Sequence, residues 1–147
     1  MRRSTTGFII LMAGAAIAWL SKRQALVTLS TAEAEFVSAT RCAQEISFLR
    51  MLLDYLGFTQ TEPTVIFEDN AACVFLTEEP AHACRTKHID LRCMYLKELK
   101  QRNVVKLVPV PTDKQHADFL TKSLSRELHQ YHYQAINGSQ YTPKPTQ

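Results

Sequence analysis

The chain has 147 residues and a formal net charge of +3, from 17 basic and 14 acidic residues. Its composition, 46% hydrophobic and 21% charged, excludes a disordered chain and is ordinary for a globular one. The length predicts one domain, and the mild positive charge permits a polyanionic partner without requiring one.

The opening stretch, MRRSTTGFIILMAGAAIAWLSK, allows two interpretations. Two arginines, an apolar run and the small-residue step at residues 16–18 imitate a secretory signal peptide. The apolar run covers residues 8–20, which is shorter than the roughly 20 residues of a membrane span. The other interpretation is a β-hairpin, with strands GFIILM and AIAWLS around a turn at residues 13–15 and a third strand near QALVTL.

A long amphipathic helix is predicted after these strands. Apolar residues recur every three or four positions between residues 35 and 56 in a single stripe, and Gly57 is suited to end the helix. The uninterrupted apolar run TVIF predicts a strand buried on both faces. There follow a short helix AACVFLTEE, a second amphipathic helix at residues 89–99, a strand NVVKLVPV and a last helix at residues 112–131.

This order of elements predicts an α/β fold with a mixed sheet. The domain is assigned to residues 1–128, and residues 129–147 are expected to form a C-terminal tail that is partly disordered. The four cysteines, at positions 42, 73, 84 and 93, form no Cys-x-x-Cys pair. Buried thiols in a reducing compartment are therefore expected.

Two glutamates lie one residue apart at the start of the long helix, in LSTAEAEF. Ser30 and Glu33 fit Ser-x-x-Glu, a capping box in which each side chain satisfies a backbone N–H at the helix start. Glu35 has no such role, because it lies about 200° around the helix from Glu33 and heads the apolar stripe. Burial of an unpaired carboxylate is costly, so Glu35 is either functional or solvated at the helix end.

Two aspartates further along the chain are candidates of the same kind. Asp69 directly follows the apolar strand, where ligands bind in open α/β sheets, although Asp69 or Asn70 could instead cap the next helix. Thr112 and Gln115 fit a second capping box. Asp118 is therefore available for another role, or it belongs to a solvated helix face.

Three acids at the edges of three different buried elements predict a shared cation site. Oxygen ligands suit Mg²⁺ or Mn²⁺ rather than Zn²⁺. A carboxylate cluster without a phosphate-binding loop indicates phosphodiester chemistry with two metal ions. The sequence has no Walker loop, Gly-x-Gly-x-x-Gly, Gly-x-Ser-x-Gly or His-Glu-x-x-His motif that would offer a different active site.

The stretch PAHACRTKHI is irregular and basic. His82, Cys84 and His88 suggest a zinc cluster, but a second spaced pair of ligands is lacking. Contact with a phosphate backbone through Arg85, Lys87 and His88 is the favoured interpretation.

Four segments in a fixed order are similar to a known family: LSTAEAEFVSATRCAQEISFLRMLL, IFEDNAACVFL, RTKHIDLRCMYLKE and VPTDKQHADFLTKSL. They resemble the ribonuclease H domain of copia-type retrotransposon (retrovirus-related) Pol polyproteins. The resemblance runs from about Arg2 to about Leu128, and it favours the hairpin over the signal peptide.

The resemblance implies a ribonuclease H-like mixed sheet of five strands flanked by helices, and removal of the RNA strand of an RNA–DNA hybrid during reverse transcription. By motif, Glu35 matches the family's helix glutamate, Asp69 its strand-end aspartate and Asp118 its Ala-Asp aspartate. These three are the expected catalytic and metal-binding residues. The expected nucleic-acid-binding residues are Asn70, Arg85, Lys87 and His88.

The family has a fourth acid, an aspartate on the first, central strand, just upstream of an Arg-Arg-Ser-Thr stretch. Because the present chain begins at MRRST, the expectation is an N-terminally truncated domain in which this strand is missing. Unpaired strand edges on either side of the gap are an association hazard. Metal affinity is expected to fall, because the number of anionic ligands sets it.

The predicted function is that of a retrotransposon-derived ribonuclease H domain, weakly active or inactive by itself. The expected partners are an RNA–DNA hybrid and the reverse transcriptase portion of a polyprotein, and the expected cofactors are two Mg²⁺ or Mn²⁺ ions. The expected location is intracellular, cytoplasmic or nuclear, with no membrane and no zinc. The alternative is a non-catalytic nucleic-acid-binding or interaction remnant, which the basic face from Arg85 to Arg102 favours.

Overall fold

The computed structural model describes residues 4–24, 31–78 and 87–137, with the side chains of residues 31–32 and 87–90 left out of the description. The strands and α-helices, in chain order, are β1 (Thr5–Met12), β2 (Ala15–Arg23), α1 (Thr31–Tyr55), β3 (Thr64–Glu68), α2 (Ala71–Glu78), α3 (Lys87–Gln101), β4 (Val105–Pro109) and α4 (Arg126–Ile136). Two 3₁₀ helices, Thr112–Lys114 and His116–Leu120, lie between β4 and α4. This alternation of strands and helices confirms the predicted α/β class.

The opening residues form the predicted hairpin. β1 and β2 pair antiparallel, with Met12 opposite Ala15. The two turn residues, Ala13 and Gly14, have φ values of 52° and 83°, and positive φ at both central positions is the geometry that matches the twist of a two-residue hairpin. The predicted third strand near QALVTL lies outside the described residues except for Gln24, whose Nε2 donates to Thr6 Oγ1 at 3.0 Å.

Helix α1 contacts both pairs of strands and supplies much of the core through Phe36, Ala39, Ala43 and Ile46, all almost fully buried. It ends as predicted at Gly57, where φ is 83°. The N–H of Gly57 donates to Asp54 O and the N–H of Phe58 to Leu53 O. These are the two hydrogen bonds of a Schellman motif, which satisfies carbonyls at the end of the helix.

The second sheet is built from β3 and β4, which pair in parallel with Thr64 opposite Val105. Helix α3 leads into β4 through Asn103, whose φ is 58°. The N–H of Asn103 donates to Lys100 O, and the N–H of Val104 donates to Leu99 O. The same Schellman geometry therefore turns the chain from α3 into the sheet.

A mixed sheet with unpaired strand edges on either side of a gap was expected, and the described residues form two separate sheets. β1 pairs only with β2 and β3 only with β4, so no hydrogen-bonded strand pair joins the two sheets there. Core side chains from β1, α1, β3, α3 and β4 fill the interior, and burying each large one contributes about 1.5–3 kcal/mol. No helix within the described ranges has both the length and the apolar character needed to cross a membrane.

The predicted last helix at residues 112–131 is wrong. Gln115 is extended, with φ −75° and ψ 99°, and separates the two 3₁₀ helices. A new helix, α4, begins after Ser125, whose side chain accepts a hydrogen bond from Leu128 N at 3.3 Å. α4 continues to Ile136, past residue 129 where the tail was expected to start, and the tail itself lies outside the described residues from residue 138.

Candidate metal centre

The carboxyl end of β3 presents three polar residues in a row. Asn70 Oδ1 accepts hydrogen bonds from Ala72 N at 3.0 Å and from Cys73 N at 3.2 Å. Asn70 is therefore the cap of α2, as residues of its type commonly are. Because Asn70 caps α2, Asp69 does not have this role, and its carboxylate is available for another interaction.

Glu35, from the first turns of α1, faces this strand end. One carboxylate oxygen from each of Glu35, Glu68 and Asp69 lies within 4.8 Å of the others. Two ligands on opposite sides of a Mg²⁺ ion are about 4.2 Å apart. A small adjustment of side chains would therefore let the three carboxylates hold one cation or flank two.

Glu68 is a site residue that the sequence analysis missed. It was read as the end of the strand, but it lies two positions after the buried Ile66 and shares the inner face of β3. Its side chain is buried, and its Oε1 accepts a hydrogen bond from Asn70 N at 3.0 Å. The period of two in a strand was the signal that would have placed it inside.

Asp118 lies at the same cavity but on a different element from the one predicted. It belongs to the 3₁₀ helix His116–Leu120 and is buried. Its Oδ2 accepts an ion-pairing hydrogen bond from Lys122 Nζ at 2.7 Å. The side chain is therefore positioned near the carboxylate cluster and is neutralised there by a lysine.

The second predicted capping box is also wrong. Thr112 is not an N-cap, and no side chain caps the first 3₁₀ helix. Gln115 instead holds the Asp118 segment against β3, because its Nε2 donates to Phe67 O at 2.9 Å and its Oε1 accepts from Ala117 N at 3.4 Å. Gln115 thus caps the second 3₁₀ helix through Oε1 and makes a tertiary contact through Nε2. The other predicted box lies partly outside the described residues, since Ser30 is not described.

Burial and repulsion raise the pKa values of two of these acids, Glu68 and Glu35. Burial is the main reason that the pKa of Glu68 rises to about 8, and the charges of Glu35, Asp69 and Asp118 add to the rise. Burial also raises the pKa of Glu35, followed by the charges of Asp69 and Asp118, whereas Lys122 lowers it. A cation bound among these carboxylates would remove the repulsion, so the electrostatics favour cation binding.

The cluster borders a cavity of about 220 Å³ between the two sheets. Gly7 to Leu11 of β1 line one side and Thr64 to Glu68 of β3 the other, with α1 residues including Ser38 beneath. The hydroxyl of Ser38 accepts from Gly7 N at 3.1 Å and donates to Gly7 O at 3.2 Å. The carboxylates are therefore among the residues that line this cavity, and most of its other lining residues come from β1, β3 and α1.

A contact between two histidines joins α4 to the 3₁₀ helix that carries Asp118. His132 of α4 is fully buried, and its Nδ1 lies 2.9 Å from His116 Nδ1. Burial lowers the pKa of both imidazoles. One neutral ring donates to the other, which attaches α4 to the 3₁₀ helix that carries Asp118.

The predicted nucleic-acid-binding residues are only partly described. Asn70 lies beside the acidic cluster, with its side chain used to cap α2. Lys87 and His88 are in the first turn of α3, but their side chains are not described, and Arg85 lies outside the described residues together with the rest of the basic loop. Cys42, Cys73 and Cys93 are buried as expected and form no disulfide among the described residues, while Cys84 lies outside the described ranges.

The fold and the cavity thus define the class of protein: an α/β domain with a cluster of carboxylates at the end of a strand. The chain is similar to segments of retrovirus-related Pol polyproteins from transposons. It is 37% identical over 125 residues to the one from transposon TNT 1-94 of Nicotiana tabacum, a match that covers 85% of this chain and 9% of that protein. The polyprotein from transposon RE1 of Arabidopsis thaliana is 36% identical over 127 residues, covering 86% of this chain and 9% of its own length.

A third polyprotein, from transposon RE2 of Arabidopsis thaliana, is 37% identical over 123 residues, covering 84% of this chain and 8% of its own length. The chain therefore spans less than a tenth of these relatives. It is homologous to a segment of transposon Pol polyproteins, which supports a retrotransposon-derived domain. No protein-family model and no solved structure matches it.

Proposed function

We propose that this chain is a ribonuclease H domain whose ancestral reaction is hydrolysis of the RNA strand of an RNA–DNA hybrid. The observation that carries the proposal is the approach of Glu35, Glu68 and Asp69 to within 4.8 Å, with Asp118 at the same cavity. Similarity to transposon Pol polyproteins is consistent with such a domain.

The residues present fit Mg²⁺ or Mn²⁺. Glu35, Asp69 and Asp118 would hold the ions, and Glu68 adds a fourth carboxyl group that is close and buried. Oxygen-only donor sets of this kind suit hard cations. When bound, two such ions supply an activated water and stabilise the leaving oxygen of a phosphodiester.

The chain's own residues prepare the site in three ways. The amide of Asn70 caps α2 and fixes the backbone next to Asp69. Gln115 fastens the Asp118 segment to Phe67 O of β3. Burial of the acids strengthens their interaction with a cation, because charges interact more strongly where water is excluded.

The cavity between β1 and β3 bears on how active the chain is by itself. The family resemblance places a further strand, carrying a fourth aspartate, between the hairpin and β3. The cavity lies between these two strands and opens onto the acidic cluster. With three clustered carboxylates and Asp118 paired with Lys122, we expect the 147 residues by themselves to bind metal ions weakly and to cleave a hybrid slowly.

The first test is a calorimetric titration of the chain with Mn²⁺. The second is incubation of the chain with an RNA–DNA hybrid that is labelled on the RNA strand. We expect weak Mn²⁺ binding that Asp69→Asn and Glu35→Gln abolish. Glu62→Gln, a change at an exposed glutamate in the loop before β3, is the matched control and keeps the binding. Identical Mn²⁺ binding by the chain and by Asp69→Asn would refute the proposed site.

The cleavage arm tests the proposed reaction separately. Trace cleavage of the RNA strand that requires Mn²⁺ and disappears in Asp69→Asn supports the proposal. Robust cleavage that disappears in Asp69→Asn contradicts the expected weakness of the isolated chain, although it supports the reaction. Metal binding without cleavage of the hybrid under any condition would support the cation site but contradict the proposed nuclease reaction.

The alternative, a non-catalytic nucleic-acid-binding remnant, receives less support from α3. The ammonium of Lys100 pairs with the carboxylate of Glu78, and Arg102 pairs with Glu98 at 3.4 Å. These ion pairs reduce the positive charge that α3 offers to a phosphate backbone. Hybrid binding without cleavage, with an affinity that falls as salt rises, would favour this alternative, and an affinity independent of salt would exclude it.

A further inference from the structure

The C-terminal half of α1 is apolar on two opposite faces. The sequence predicted a single stripe, which the structure places on the core side through Ala39, Cys42 and Ile46. Phe48, Met51, Leu52 and Tyr55 recur at the same three- and four-residue spacing about 180° around the helix. A helix that is apolar on both faces is normally covered on both.

We call these four residues, with Leu56 and Phe58 just after the helix, the α1 outer face. Their side chains are between 41% and 89% exposed. Large side chains carry about 150–250 Å² each, so the α1 outer face presents roughly 700 Å² of apolar surface. This exceeds the exposed patches of about 300–600 Å² that are usual on monomers.

The α1 outer face carries no charge. Three charged residues lie in this half of the helix: Glu45 is partly buried one turn before Phe48, and Arg50 and Asp54 are turned to the loop that follows the helix. Arg50 donates to Gln60 O at 2.6 Å and to Glu62 O at 2.7 Å, and Asp54 accepts from the hydroxyl of Thr59. A partner that packs on these six side chains therefore meets apolar groups, with the charge of Glu45 at the N-terminal margin of the face.

We propose that the α1 outer face is the interface of a homodimer in which α1 packs antiparallel against α1 of a second copy. A stable interface buries about 800 Å² on each partner, which is close to the area available here. In a two-fold interface each residue near the axis meets its own copy, so a charged face would repel itself and an uncharged one does not. The α1 outer face satisfies this requirement.

The spacing also fits two-fold pairing. A two-fold axis that passes between Met51 and Leu52 places Phe48 opposite the partner copy's Tyr55, three and a half residues on either side of it. Aromatic pairs at such a position contribute beyond the area that they bury. The positions i, i+3, i+4 and i+7 are those that form the seam between packed helices.

The experiment is sedimentation velocity of the full chain over a range of concentrations. We expect a reversible dimer. The double variant Met51→Glu/Tyr55→Glu should raise its dissociation constant by about a hundredfold or more, since central aromatic residues dominate interfaces. Both residues are exposed, so the far-ultraviolet circular dichroism of the variant should be unchanged. Leu91→Glu/Met94→Glu, the same change at exposed apolar residues of α3, should leave the dimer intact.

A mixing experiment separates loss of the interface from loss of the fold. Met51→Glu and Met51→Lys should each be monomeric, and an equimolar mixture of the two should form a heterodimer, because opposite charges then meet near the axis. A chain that is monomeric at every concentration would overturn the proposal. So would a dimer that survives Met51→Glu/Tyr55→Glu, or a monomeric chain whose α1 outer face binds a different protein.

Discussion

Lys122 Nζ lies 2.7 Å from Asp118 Oδ2, one helical turn further along the chain. Burial raises the pKa of both Asp118 and Glu35, and the charge of this ammonium opposes both rises. A divalent cation at the cluster would be repelled by this ammonium. Lys122 therefore stabilises the acidic site when no cation is bound and competes with a cation that enters.

We expect Lys122→Gln to bind Mn²⁺ about fivefold more tightly, since removing a partly exposed positive charge nearby is worth about 1 kcal/mol. Lys106→Gln, a change at an exposed lysine of β4, is the control and should leave the affinity unchanged. Calorimetric titration at fixed ionic strength measures both. Weaker binding by Lys122→Gln would mean that the lysine supports the site by structure rather than by charge.

Glu68→Gln is expected to stabilise the ion-free chain. The folded-state pKa of Glu68 is raised from 4.5 to about 8, so the folded state binds more protons than the unfolded state between these values. Stability attributable to this group therefore falls as the pH rises from 4.5 through about 8. At pH 7 the gain in the free energy of unfolding is at most about 3 kcal/mol.

Urea denaturation in the presence of a chelator measures this gain, and it should be larger at pH 8 than at pH 5. Glu62→Gln, at an exposed position, should change stability little at either pH. A stability gain from Glu68→Gln together with weaker Mn²⁺ binding would show that the Glu68 carboxyl lowers the free energy of unfolding but contributes to cation binding. Such a trade-off between stability and function is common at functional sites. Equal effects at both pH values would contradict the raised pKa.

The histidine pair predicts the opposite dependence at acidic pH. Burial lowers the pKa of His116 and His132 from 6.5, so the unfolded state binds more protons once the pH falls below 6.5. The stability contributed by the neutral pair is present above that pH and is lost as the pH falls through and below it. The contribution of the pair to the free energy of unfolding should therefore decrease from pH 7.5 to pH 5.5, opposite to the contribution of Glu68 over the same range.

His132→Asn should reduce this decrease, because it removes the most buried imidazole of the pair. The substitution should also cost about 1–3 kcal/mol at pH 7.5 through lost packing. Gln130→Asn is the control on the same helix, since Gln130 is exposed. If both variants retain the pH dependence of the original chain, the pair is not its source.

Gly7→Ala is expected to destabilise the fold by about 1–3 kcal/mol through overpacking. A Cβ at this position would overlap Cγ2 of Thr121 and lie 3.3 Å from Cβ of Leu120. Thr121→Ser removes the overlapping methyl group and keeps the hydroxyl that donates to Asp118 O. The double variant should therefore recover much of the stability, as measured by thermal denaturation.

The same pair tests the link between the hairpin and the metal site. In Gly7→Ala the residues around Asp118 must shift, so Mn²⁺ affinity should fall along with stability. Recovery of stability without recovery of Mn²⁺ affinity in the double variant would show that Thr121 has a separate role in positioning Asp118.

Local chemistry explains why several elements could be predicted from the sequence. The hairpin turn needs residues that tolerate positive φ, and Gly14 provides one. The end of α1 needs a left-handed residue at position 57, which is a glycine. Glu35 and Asp69 were identifiable because each follows or heads an apolar pattern that local capping does not explain, and the structure places them together.

Other features could not be predicted because long-range contacts decide them. Gln115 fits a capping box by spacing, but its amide hydrogen-bonds across to Phe67, and the predicted helix breaks there. Glu68 reads as a strand end, and only the packing of β3 against α1 shows that it is buried beside Glu35.

The sequence by itself determined the order of strands and helices as far as β4, the end of α1 at Gly57, and three of the acids at the cavity, Glu35, Asp69 and Asp118. Hydrogen bonding within a few residues and apolar periodicity decide such features, and both can be read locally. Only the tertiary structure decided that Glu68 is buried beside Glu35, that Asp118 reaches the cavity from a 3₁₀ helix, and that α1 has a second apolar face exposed. These depend on which distant surfaces meet, and packing free energy outweighs local preference there.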